Sequence, residues 1–118
     1  MTLKECYELM GGDYEDAVCR LAGERLVIRF VKKALEDKSF QNLCEALEAD
    51  DWENAFLAAH TLKGVALNLS FHVLADSVSE LTESLRSRKG PVPKELVCRV
   101  KADYEKTMAA VRAFAAGQ

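Results

Sequence analysis

The chain has 118 residues, with 16 basic and 19 acidic side chains, a formal net charge of -3 at neutral pH and 49% hydrophobic residues. That length suits one domain with a core of its own, and charges of both signs spread along the chain leave no basic stripe to attract nucleic acid. No apolar run approaches the ~20 residues that span a bilayer, and the polar start Met1-Thr2-Leu3-Lys4-Glu5 lacks the apolar centre of a signal peptide, so a cytoplasmic protein without membrane contact is expected.

From the N-terminus onward the residues read almost entirely as helix. Thr2 is a candidate cap for a helix to Met10, which Gly11-Gly12 closes with the glycine signal of a helix C-terminus. Asp13 opens a second short segment to about Leu21, with Gly23 after its end. Leu26, Val27, Phe30, Val31, Ala34 and Leu35 recur at helical spacing from Glu24 to about Asp37, which predicts one continuous apolar face. Ser39 is a good N-cap for the next piece, where Phe40, Leu43, Cys44 and Leu47 mark one side; the pattern fits two helices or one kinked rod. Asp50 or Asp51 caps a helix over residues 51–69, and Glu53 favours its N-terminal dipole. Ser70 is the expected cap of a helix to about Arg88, with His72 at the surface in its first turn and Arg86, Arg88 and Lys89 complementing its C-terminal dipole before Gly90. Gly90-Pro91-Val92-Pro93 is a linker. Pro93 then sits in the first turn of a last helix whose apolar side is Leu96, Val97, Val100, Tyr104, Met108, Val111 and Phe114.

No strand alternation or internal repeat competes with this pattern, so the fold class is all-α. Short connections between long amphipathic helices imply an up-and-down antiparallel four-helix bundle with short accessory N-terminal helices, expected as a single unit over residues 1–118. Cys6, Cys19, Cys44 and Cys98 form neither a C-x-x-C pair nor a zinc-type cluster, and are expected as reduced, semi-buried apolar residues. His72 does not stand at a metal-ligand spacing from His60.

The 51–69 helix carries the most telling face. At about 100° per residue, Ala55, Ala58, Ala59, Leu62, Val65, Ala66 and Leu69 form one broad apolar side, and His60 lies opposite, roughly 160° from Leu62. Lys63 and Gly64 follow at the two spacings that place side chains beside His60 on the next turn. A neutral imidazole is a competent nucleophile, since an unperturbed histidine titrates near pH ~6.5. A lysine offsets charge on phosphoryl oxygens, and glycine leaves the approach bare at a helix-propensity cost of about 1 kcal/mol relative to alanine. Phe56 and Leu67 fall about 40° and 20° from His60, two large apolar groups that suit a docking patch on the face away from the core. Trp52 lies between the two faces and is expected as a core or capping contact.

The run His60-Thr61-Leu62-Lys63-Gly64-Val65-Ala66-Leu67-Asn68-Leu69-Ser70-Phe71, followed by Leu74-Ala75 and Leu81, closely resembles the signature of histidine phosphotransfer (HPt) domains. The approach Leu47-Glu48-Ala49-Asp50-Asp51-Trp52 and the later Leu81-Thr82-Glu83-Ser84-Leu85-Arg86 extend the likeness from about Asp13 to about Tyr104. The resemblance implies that His60 is the phosphoacceptor, Lys63 its electrostatic neighbour and Gly64 the access residue, with Phe56 and Leu67 matching the docking surface less specifically. It also implies receiver domains of response regulators and a histidine kinase as partners, and a magnesium ion supplied by the receiver. The family includes the phosphoacceptor domain of chemotaxis kinases, but Asn68 and the short chain favour a phosphorelay module. The beginning at Met1 and the compact length favour a free-standing one, expected as a monomer.

A phosphoryl carrier is therefore the leading expectation. No G-x-x-x-x-G-K-S/T string or kinase glycine loop provides a nucleotide cradle, so no ATP chemistry and no resident cofactor or metal are expected. The alternative is an unphosphorylated helical adapter that binds receiver or kinase domains, which has no need of His60, Lys63 and Gly64 together. A metal or haem bundle would need inward His or Glu-x-x-His pairs that the sequence lacks.

Overall fold

The computed structural model of the chain describes residues 1–86 and 90–118. Among these it contains seven α-helices and no strands: α1 (Leu3–Met10), α2 (Tyr14–Arg20), α3 (Glu24–Ala34), α4 (Ser39–Glu48), α5 (Trp52–Asn68), α6 (His72–Leu85) and α7 (Lys94–Ala116). None of them is long and apolar enough to cross a membrane.

Local chemistry sets several of the ends. Thr2 accepts from the Glu5 amide at 3.1 Å while the Glu5 carboxylate accepts from the Thr2 amide at 2.8 Å, a reciprocal box that satisfies two otherwise orphaned donors. Gly11, at φ 75°, takes the left-handed turn that ends α1. Asp13 caps α2 through the Asp16 amide, and Asp51 rather than Asp50 caps α5 through the Asn54 amide. Asp50 instead carries a positive φ of 53° in the turn before it.

Two expected serine caps do not form. Ser39 is the first residue of α4, and both its amide and its hydroxyl donate to Asp37, so the aspartate two positions earlier closes the turn. Ser70 is buried at φ 56°, and its hydroxyl donates to Asp16 at 2.6 Å, leaving Phe71 at the α6 cap position with no side-chain bond. An N-cap needs extended backbone and an accepting oxygen, and the left-handed backbone of Ser70 places it in the turn before the cap position. Of the basic end expected for α6, only Arg86 falls among the described residues. The helix stops at Leu85, Arg86 has extended backbone and turns to Glu83, and Arg88 and Lys89 lie outside the described residues.

Consecutive helices α4, α5, α6 and α7 pack each on the next, and α1 lies along α7. One core joins them. It includes Leu43 of α4, Leu62 of α5, Leu74, Val78 and Leu81 of α6, and Val100, Val111 and Phe114 of α7, each at most 1% exposed. Phe40 stacks on Tyr104 with centroids 3.8 Å apart, tying α4 across to α7. The stretch left open as one rod or two is two helices, interrupted at 35–38.

The expected continuous face of α3 is buried only along Val27, Val31 and Ala34. Leu26, Phe30 and Leu35 are exposed, because this helix has few packing partners and only one edge of its apolar arc meets the core. Cys6 is buried, and burial pushes its thiol up to about 11, so at neutral pH it is a protonated core filler. Cys44 is half-buried, but Cys19 and Cys98 are exposed, against the expectation of four semi-buried thiols. Their positions face away from the neighbouring helices.

The N-terminal helices are stitched to the turn between α5 and α6. The Tyr7 hydroxyl donates to the Leu69 carbonyl at 2.7 Å, the Asp13 amide to the Ser70 carbonyl at 3.0 Å, and the Val73 amide to the Gly11 carbonyl at 3.3 Å. The Tyr7 ring packs on Phe71 with centroids 5.8 Å apart.

Candidate functional site

The burial pattern of α5 places its chemistry. Ala55, Ala58, Ala59, Leu62 and Ala66 are buried, and small residues at four of these five positions let α5 lie close against its neighbours α4 and α6. A closely flanked rod leaves one narrow strip free. Leu57, His60, Thr61, Leu67 and Asn68 are exposed on it.

Lys63 and Gly64 are half-buried one turn beyond His60. A Cβ built on Gly64 would meet nothing within 4 Å, so this glycine is not a helix-packing contact. It stands over open space beside the imidazole. Gly64→Ala is therefore expected to stabilise the fold by about 0.5–1 kcal/mol through helix propensity alone. Thermal unfolding followed by circular dichroism checks this, and a lower melting temperature would mean that something does press on that position.

Phe56 departs from the sequence reading. It is half-buried and packed on the rim of the core instead of standing free, because α6 lies alongside and covers one side of it. Its ring stacks on the His60 imidazole at 6.0 Å between centroids and 22° between planes, and the Arg86 guanidinium lies over it at 5.1 Å. Leu67 is 43% exposed, as expected for a surface apolar residue. Leu57, which the sequence reading passed over, is 54% exposed on the same strip. By the helical wheel it lies about 60° from His60, so the signal was present and went unread. Trp52 is half-buried against the core at the start of α5, as expected for a core or capping contact.

Charge gathers on the α6 side. Arg86 donates two hydrogen bonds to the Glu83 carboxylate, both at 3.1 Å. These bonds hold the Glu83 carboxyl below the ordinary carboxylate range, and Lys63 adds a smaller attraction. Arg86, just past the end of α6, pairs with this carboxylate, and Lys63 of α5 acts on it only through its charge. Glu83 and Arg86 carry no motif of their own, and only the packing of α6 on α5 brings them to this strip.

Two surface hollows lie beside α5. One of about 510 Å³ runs between α3 and the C-terminal end of α5, bordered by Phe30, Lys33, Val65 and Asn68. Another of about 430 Å³ runs between α4 and α5, bordered by Asn42, Asn54, Leu57 and Thr61. His60 borders neither. It is exposed on the free side of α5, with the Phe56 ring beside it.

Comparison with known proteins gives one clear result. Residues 25–113 match the family model of the Hpt domain, beginning and ending somewhat later than the likeness drawn from motifs alone. No curated protein and no solved structure gives a significant match. The matched segment takes in α3 to α6 and nearly all of α7, including the whole exposed strip of α5. The chain belongs to the Hpt domain family, the phosphotransfer carriers of two-component phosphorelays.

Proposed function

We propose that this chain accepts a phosphoryl group at His60 from the phospho-aspartate of a receiver domain or from a histidine kinase, and passes it to another receiver aspartate. The observation that carries this reading is the exposed His60 on α5, beside Lys63 and the open space over Gly64, in a chain of the Hpt family. In the forward step a ring nitrogen forms a bond to phosphorus, the acyl P–O bond breaks, and the aspartate leaves as a carboxylate. The imidazole proton passes to solvent. The reverse step returns the phosphoryl group to a carboxylate oxygen.

The exposure of His60 supports a carrier whose partner supplies the enclosure. A receiver brings the acidic pocket and the magnesium ion; this chain brings a positioned nucleophile, with Lys63 offsetting charge on the phosphoryl oxygens, and needs no cofactor. The consecutive packing of α4 to α7, together with the Phe40–Tyr104 stack, supports an up-and-down four-helix bundle as the rigid frame. The protein would act as a cytoplasmic monomer.

Incubation with a panel of phosphorylated receiver domains and magnesium tests the reading. Label is expected to move to this chain from a subset of the panel, and Lys63→Ala is expected to slow the transfer. Transfer from none of the panel or from a kinase would favour the adapter alternative. Docking is assigned to Leu57 and Leu67, with Phe56 contributing only its free edge. Leu57→Ala and Leu67→Ala are each expected to weaken receiver binding several-fold and to leave thermal stability nearly unchanged, because truncating a buried leucine would instead cost roughly 2–5 kcal/mol. Chemical-shift mapping on this chain checks the location, and shifts confined to α7 would move the docking surface elsewhere.

A further inference from the structure

We propose that Arg86 is a second phosphate-binding cation for the phosphorylated state of His60, held in readiness over Phe56 and released to the phosphoryl group by Glu83. The proposal rests on His60 being the phosphoacceptor.

Four groups from two helices support it. Along α5, Phe56 stands one turn before His60 and Lys63 one turn after, and Arg86, paired with Glu83 just past the end of α6, lies over Phe56. Arg86 touches the Phe56 ring, and Glu83 feels the charge of Lys63. The guanidinium and the imidazole therefore meet the same ring. Phe56 links them physically, with the imidazole stacked on its ring at 6.0 Å and the guanidinium 5.1 Å from its centroid. Cation–π attraction places the guanidinium without consuming its N–H groups.

Hydrogen-bond capacity points the same way. A guanidinium has five N–H donors, and two of those on Arg86 go to Glu83. The side chains of the pair are about half exposed, at 49% for Arg86 and 59% for Glu83, so the remaining donors can meet an incoming anion. Exposed ion pairs hold weakly, which makes this one exchangeable. A phosphoryl dianion carries more charge than a carboxylate and accepts the same paired N–H geometry.

Before phosphorylation, Glu83 holds Arg86. After it, the phosphoryl group competes with Glu83 for Arg86 and repels the carboxylate. Glu83 is thus a stand-in for the phosphoryl group, and Phe56 is the spacer that keeps imidazole and guanidinium in place. Phe56 then contributes more to positioning than to docking.

Phosphoramidate provides a probe that needs no partner. A ring nitrogen of His60 forms the new bond to phosphorus, the P–N bond of the reagent breaks, and ammonia leaves with the proton. The work is done in a His72→Gln background, which removes the only other histidine. Phosphorus-31 NMR then follows the titration of the phosphoryl oxygens.

Arg86→Gln is expected to raise their titration midpoint by roughly half a pH unit, because a neighbouring cation favours the dianion. Glu83→Gln is expected to lower it, and Arg86→Lys to fall between wild type and Arg86→Gln. Transfer onward to a receiver should slow by roughly tenfold in Arg86→Gln, a modest loss beside that of a central oxyanion donor. Circular dichroism melts confirm that each variant is folded. A purely structural salt bridge would give no opposite shifts, so superimposable titrations for wild type and Arg86→Gln, or shifts of one sign for both substitutions, would overturn the proposal. A phosphohistidine signal that is missing from the parent or survives His60→Gln would instead overturn the carrier reading itself.

Discussion

Glutamine in place of His60 is expected to reduce phosphoryl uptake to background while leaving the fold as it is. The imidazole is the proposed nucleophile, and the glutamine amide has no comparable lone pair to offer phosphorus. Structurally the exchange is mild. Position 60 is exposed, and glutamine is at least as good a helix former as histidine, so the melting temperature should move by a degree or two at most. The wild-type adduct should be labile in acid and stable in base, as a phosphoramidate linkage is, in contrast to a phosphoserine or an acyl phosphate. His72 provides an internal control. It is also exposed, but it lies 3.8 Å from the Asp16 carboxylate, an anionic neighbour that a phosphoryl donor would avoid. Label of equal strength on His60→Gln would place the acceptor elsewhere and remove the basis of the reading.

Gly11→Ala should have the opposite profile, with a large loss of stability at a position remote from the candidate site. Gly11 sits at φ 75°, where an L side chain costs roughly 1–2 kcal/mol. A Cβ there would also lie 2.4 Å from Cγ2 of Val73, a separation that cannot persist. Valine is stiff about χ1, so the first turn of α6 or the end of α1 must shift, and the Gly11–Val73 hydrogen bond shifts with it. The two effects together should destabilise the protein by about 2–4 kcal/mol, or a fall in melting temperature of roughly 10 °C or more. Denaturant titration monitored by far-ultraviolet dichroism gives the figure directly. Below the transition, any His60 chemistry should match that of the wild type. An unchanged midpoint would show that the turn relaxes freely around a side chain.

The all-helical class and the exposed strip of α5 were readable from sequence because both depend on local geometry. A helix of small apolar residues has its buried side fixed by period alone, so Ala55, Ala58, Ala59 and Leu62 lie inward and His60 outward as the wheel requires. What escaped reading depends on partners distant in the chain. Ser70 looks like a cap until the turn takes it to φ 56°, with its hydroxyl on Asp16, 54 positions earlier, and leaves Phe71 at the cap position. Phe56 looks free until α6 lies beside it. Leu26 and Phe30 look like core until α3 is found to bury only one edge. Arg86 looked like a charge for the end of its own helix, but it leaves that axis to meet Glu83 and Phe56. In each case hydrophobic period gave the axis of the helix correctly, and tertiary contact decided which side chains were covered.

The stitching of α1 and α2 to the α5–α6 turn separates two kinds of boundary that are easily taken as one. The match to the Hpt family model begins at residue 25, but the packed core begins with α1, capped by Thr2. A fragment cut at the margin of kinship would lose the hydroxyl of Tyr7 from the Leu69 carbonyl and the Asp13 amide from the Ser70 carbonyl. It would also bare the surface of α7 that Leu3, Cys6 and Met10 cover. Each buried polar group left without a partner costs about 1–3 kcal/mol, and a domain of this size has only some 5–15 kcal/mol in total. Resemblance and cohesion thus have different edges in this molecule, and the first two helices, which lie outside the matched segment, hold the end of the rod that carries His60.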